Sequence, residues 1–95
     1  MKTVYNVWYG TEVVDNHGVV KYGVEDLIAM FDSEDKVTRY MRECIYTMRK
    51  NGLWKDMFIK DIPDGVIPED TKIICAISHD RTERNYMRFA SYNVR

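Results

Sequence analysis

The densest chemistry in the chain lies between His79 and Arg84. His79, Asp80, Arg81 and Arg84 set an imidazole, a carboxylate and two guanidinium groups close together. Such a set can grip a phosphate or a carboxylate through charge-assisted, bidentate hydrogen bonds. His79, Arg81 and Arg84 are therefore candidates for anion binding. The simpler reading is a polar hairpin loop that needs these residues only for solvation. A second set is Tyr86, Arg88 and Tyr92, which share one face of a strand because alternate residues point the same way. A third interleaves Tyr46 with Arg39, Arg42 and Arg49 along a helix. Tyr and Arg anchor protein interfaces, and they also stack on bases and pair with phosphates. The alternative for the helix set is a solvated face carrying Asp35 and Arg39 as an i,i+4 ion pair.

Other reactive residues are spaced against catalysis. Cys75 and His79 lie four residues apart on one strand, about 13 Å, too far for a nucleophile and its base. Cys44 falls on the apolar side of its helix. No His/Cys spacing matches a zinc site. Asp61, Asp64, Glu69 and Asp70 do not follow the spacing of a calcium loop. No glycine-rich phosphate loop or nucleophile elbow occurs. The sequence thus points to no catalytic residue, metal or cofactor, and an enzyme is the less favoured class.

The elements that position these groups follow from pattern and turn chemistry. Thr3–Val14 and Val19–Val24 read as strands joined by Asp15-Asn16-His17-Gly18, a turn in which Gly18 takes the left-handed backbone. Two registers are open for this hairpin. Val14 opposite Val19 puts Glu12 across from Lys21, while a glycine bulge shifts the pairing by one and moves Trp8 to the other face. Leu27–Phe31 reads as a third strand or a short helical turn. Ser33 is an N-cap before a helix over Glu34–Asn51, with Glu34 and Asp35 in its first turn. Val37, Tyr40, Met41, Cys44, Ile45 and Met48 form its apolar face, and Gly52 ends it. Trp54–Ile62 is a further strand, Pro63-Asp64-Gly65 a turn, and Lys72–Ser78, apolar on both faces, a central strand. Arg84–Asn93 is the last strand. The expected fold is α+β: one domain over residues 1–95, with an antiparallel sheet of about five strands on one long amphipathic helix, in the order β-β-(β)-α-β-β-β.

Composition sets the outer limits. The chain has 95 residues, 45% hydrophobic and 31% charged, with a net charge of −1. That balance excludes a generally basic nucleic-acid coat and a highly acidic DNA mimic. No apolar run approaches the roughly 18 residues of a membrane span. The start lacks the form of a signal peptide, and Cys44 and Cys75 read as free buried thiols, so a cytoplasmic location is expected. A compact chain of this length has a radius of gyration of about 12 Å. Charge is blocked along the sequence: −5 over residues 1–35, +5 over 36–60, −4 over 61–80 and +3 over 81–95. Neighbouring elements that compensate one another, or a basic surface, both produce that pattern.

One helix is about 10 Å wide and covers two or three strands spaced about 4.8 Å apart. The opposite sheet face must then curl into a small barrel, meet a second copy, or meet a different partner. The function expected is a small non-catalytic binding module of adaptor or inhibitor type, including those carried by mobile genetic elements, that docks a Tyr/Arg-bearing surface (Arg39, Arg42, Tyr46, Arg49, Tyr86, Arg88, Tyr92) on a protein. A homodimer is compatible with this. The alternatives are a nucleotide or single-stranded nucleic-acid binder using Arg84, Tyr86, Arg88 and Tyr92, and an enzyme with His79, Asp80 and Arg81 at a dimer interface.

Overall fold

The computed structural model describes residues 2–51, 67–78 and 80–94, without the side chains of 49–51. Its elements are β1 (Lys2–Val14), β2 (Val20–Phe31), α1 (Glu34–Asn51), β3 (Ile73–Ile77) and β4 (Glu83–Val94). All pairings are antiparallel, in the spatial order β2-β1-β4-β3. The class is α+β with one helix, but the described sheet has four strands where five were expected. Leu27–Phe31 is neither a separate strand nor a helical turn. It continues β2, which runs unbroken for 12 residues. The stretch Lys72–Ser78 supplies β3, which ends the described sheet and is not central to it. The expected strand over 54–62, the turn at 63–65 and the helix end at Gly52 lie outside the described residues. Among the described residues the sheet stays open, since β2 and β3 sit at opposite ends and do not pair.

Local chemistry sets each joint. Asp15 accepts the backbone N–H groups of His17 and Val19 through Oδ1, both at 2.9 Å. Gly18 adopts φ 78°, where a side chain is disfavoured. Val14 faces Val20, the pairing shifted by one, and Glu12 faces Gly23, one residue further, so the unshifted register fails and the shifted one holds only beside the turn. The register shift between Val13 and Val14 accounts for the difference, and a second shift lies between Val7 and Trp8. Lys21 pairs with Asp15 at 3.8 Å instead of with Glu12. Ser33 Oγ accepts the Lys36 N–H at 3.3 Å and caps α1.

The helix packs on one face of the sheet. Val37, Met41 and Ile45 meet Val7, Met87, Phe89, Cys75 and Ile67, all fully buried. Tyr5, Tyr9, Ala29, Phe31 and Ile73 border them, with Tyr40, Cys44 and Met48 from the helix. Phe31 and Tyr40 place their ring centroids 5.0 Å apart. An 18-residue helix spans about 27 Å, whereas the molecule extends 45 × 28 × 19 Å. The far half of the β1–β2 hairpin therefore projects beyond the helix. The radius of gyration is 14.0 Å, above the compact expectation.

Candidate functional site: the sheet face opposite the helix

Even-numbered residues of β1 and β4 point away from α1, because Val7, Met87 and Phe89 point toward it. The register aligns Val4 with Tyr92, Asn6 with Ala90, Trp8 with Arg88, Gly10 with Tyr86 and Glu12 with Arg84. On the β2 side the same rows continue through Met30, Leu27, Glu25 and Gly23. These rows divide into a packed, charged half and an apolar half.

The packed half centres on Gly10. A Cβ there would clash with the far end of the Tyr86 ring, which fills the space a side chain at Gly10 would take. Tyr86 is only 2% exposed. Lys72 Nζ stands 4.7 Å from the ring centroid. Burial, reinforced by the charges of Glu25 and Glu12, pushes the Tyr86 hydroxyl up to about 12. Beside it, Glu12 is 2% exposed and bonds Lys72 Nζ and, at 2.8 Å, Arg84 Nε. Burial raises the Glu12 carboxyl, but the hydrogen bonds and charges of Lys72 and Arg84 outweigh it and hold the group below its usual value. A buried carboxylate needs such partners to remain charged.

Arg88 stands at the boundary. Its Nε donates to Glu25 Oε2 at 2.6 Å and its Nη2 to Oε1 at 3.1 Å, a bidentate pair. Its Nη1 reaches Asp70 Oδ1 at 3.1 Å, and its guanidinium lies 5.5 Å from the Trp8 ring centroid. The Arg88 hydrogen bonds hold the Glu25 carboxyl below its usual value. Trp8, Glu25 and Asp70 thus hold Arg88 in place. Beyond it lie Val4, Asn6, Leu27, Met30, Ala90 and Tyr92, with Leu27, Met30 and Tyr92 exposed. Asn6 Oδ1 and Trp8 Nε1 are buried and have no hydrogen-bond partner among the described residues.

The seven residues expected to form one surface are split between two. Tyr86, Arg88 and Tyr92 lie on the sheet face opposite the helix. Tyr46, 66% exposed, and exposed Arg39 lie on the outer side of α1, with Arg42 half-buried there. The Arg49 side chain lies outside the described residues. Tyr92 alone of the sheet trio is both exposed and outside any ion-pair cluster described above. Tyr86 has a packing role and presents no open ring for base stacking.

The candidate anion loop is organised inward. His79 lies outside the described residues. Asp80 Oδ1 accepts from Ser78 Oγ and Thr82 Oγ1, both at 2.7 Å, and from the Thr82 N–H at 3.1 Å. Those hydrogen bonds hold its carboxyl at about 2. Arg81 takes φ 61° to close the turn. An open cleft of about 510 Å³ lies between this loop and the Asp15–Gly18 turn. Its lining includes Asp15 and Asp80 as well as Arg81 and Arg84, and Arg84 is held by Glu12, so the lining carries no net positive charge. Among the described residues no three His, Cys, Asp or Glu groups gather as a metal would require. Among the described residues no helix is long and apolar enough to cross a membrane.

Sequence reasoning missed Trp8, Glu25, Leu27 and Met30. The unresolved hairpin register hid the face of Trp8. Leu27 and Met30 lay in a stretch left open between strand and helical turn, and Glu25 lay in the gap before it, so their shared strand went unrecognised. Comparisons with protein families, with curated proteins and with solved structures return no match.

Proposed function

We propose that the chain is a small non-catalytic binding module of adaptor or inhibitor type that engages a protein partner through the sheet face opposite α1. One observation carries this reading. The face has an apolar half, with Met30 61% exposed beside Leu27 and Tyr92, next to the aromatic and ion-pair cluster of Trp8, Arg88, Glu25 and Asp70. Apolar and aromatic side chains beside fixed charges are the composition of a protein-contact surface. The free thiols of Cys44 and Cys75 suit a reducing compartment such as the cytoplasm.

The test is affinity capture from native cell extract with the full chain as bait. Met30→Glu and Tyr92→Ala alter exposed side chains, so both should leave the melting curve in place and abolish capture. Tyr46→Ala, on the far side of the molecule, should still capture the partner. Retention of the same partner by both sheet-face variants defeats the reading.

A further inference from the structure

We infer that the chain pairs with a second copy of itself along β2, in an antiparallel register whose two-fold axis passes through Gly23. This goes beyond the binding face proposed above and does not depend on it.

The strand is an unusual edge. β2 ends the described sheet and runs for 12 residues, exposed at every position from Val20 to Ile28. Tyr22 (62% exposed), Val24, Leu27, Ile28 and Met30 all present apolar surface, and the strand contains no proline. Such an edge templates another strand through its unpaired backbone groups unless it is shortened, charged, bulged or covered; the charges β2 carries, Lys21, Glu25 and Asp26, are of both signs and so can complement a second copy.

The backbone direction restricts the pairing. Val14 donates its N–H to Thr82, on the β4 side. Alternation then turns Val13, Thr11 and Tyr9 toward Tyr22, Val24 and Asp26. Gly23, Glu25 and Leu27 are left with their N–H and C=O groups directed away from β1. A two-fold pairing must therefore set odd positions opposite odd positions. A two-fold axis at Glu25 opposes two glutamates, and one at Asp26 opposes two aspartates, both repulsive. An axis at Val24 opposes Gly23 to Glu25 and matches no charges. The axis at Gly23 sets Lys21 opposite Glu25 of the second copy twice, and Tyr22 opposite Val24 twice. Opposite charges and aromatic–β-branched pairs are the favourable cross-strand combinations.

The local charge also favours this register. Glu25, Asp70 and Arg88 form a cluster of net charge −1. Lys21 is largely exposed and 3.8 Å from its only described carboxylate, Asp15. Lys21 from the second copy neutralises the Glu25 cluster. Gly23 at the axis lets the two backbones approach without side chains between them. The two-fold axis stands perpendicular to the joined sheet, so both helices lie on one side and both proposed binding faces on the other.

Two strand edges meeting make a small contact by the standard of stable interfaces, which begin at roughly 1,200 Å², so association in the micromolar range is expected. Sedimentation equilibrium of the full chain from about 1 μM to about 1 mM should show the mass rising from 11.3 kDa toward twice that value. Gly23→Pro removes an outward N–H without touching the β1 ladder, and the site has room, with the nearest atom to an added Cβ at 3.8 Å. It should remain a folded monomer. Lys21→Glu sets like charges opposite one another and should weaken pairing about tenfold, a readout that holds even if the proline variant misfolds. A wild-type chain that stays at 11.3 kDa throughout overturns the inference. So does a dimer that Lys21→Glu leaves unchanged, since it must use another surface. Neither result bears on partner capture by the sheet face, which is read separately.

Discussion

At the scale of the residue, Gly10 and Tyr86 form the most constrained contact in the molecule. The ring occupies the volume where a side chain would stand, and Tyr86 has little freedom to leave because it is buried between Lys72 and the Gly10 backbone. Gly10→Ala should therefore cost about 2 kcal/mol, as overpacking does, and lower the melting temperature by several degrees. Gly23→Ala meets nothing closer than 3.8 Å and should melt within a degree or two of wild type. Thermal denaturation of the two variants side by side checks the contrast. Alternation in the sequence correctly assigned Tyr86, Arg88 and Tyr92 to the face opposite Met87 and Phe89. It could not give their exposure. That depends on a glycine far away in the chain, which leaves space for one tyrosine ring, and on Glu25 and Asp70, which immobilise the arginine.

At the scale of the element, the helix was legible and the strands only partly so. Helical signals are local: Ser33 caps, Glu34 and Asp35 favour the first turn, and the apolar period of 3.6 selects Val37, Met41 and Ile45 for the core. Ser33→Ala should cost about 1 kcal/mol and speed amide exchange at Lys36 and Val37 ahead of the rest of the helix, as hydrogen-exchange mass spectrometry can measure. Strand signals depend on neighbours. Glu25-Asp26 looked like a break in β2, yet an edge strand with exposed faces tolerates charge. Lys72–Ser78 looked central because both its faces are apolar. Ile73 and Cys75 lie on the helix side, but the stretch still ends the described sheet. The one-residue shift beside the turn was one of the two registers the sequence left open, but the irregularities at Val13/Val14 and Val7/Trp8 moved the pairing further by steps that no residue type announces.

At the scale of the whole molecule, the alternating charge blocks resolve into ties between distant segments. Glu12 of the acidic first block holds Lys72 and Arg84, while Arg88 of the last block holds Glu25 and Asp70. Glu12, Glu25 and Asp80 all have folded-state carboxyl values below those of the free groups. Their contribution is thus complete above the unfolded carboxylate range and is lost as the pH falls through it toward the folded values. Urea denaturation should give a stability nearly level from pH 8 to pH 6 and declining below about pH 4.5. Glu12→Gln should lower stability by about 2 kcal/mol at neutral pH and make the acid decline shallower, since it removes one of the linked groups. A different consequence follows from Cys75. Its thiol is buried, and burial together with nearby Cys44 pushes it up to about 12. At neutral pH it offers an alkylating reagent almost no thiolate and no access. The rate at which Cys75 is alkylated then reports how often the interior opens, so the chain carries its own clock for unfolding, readable with a thiol reagent and no engineered label site.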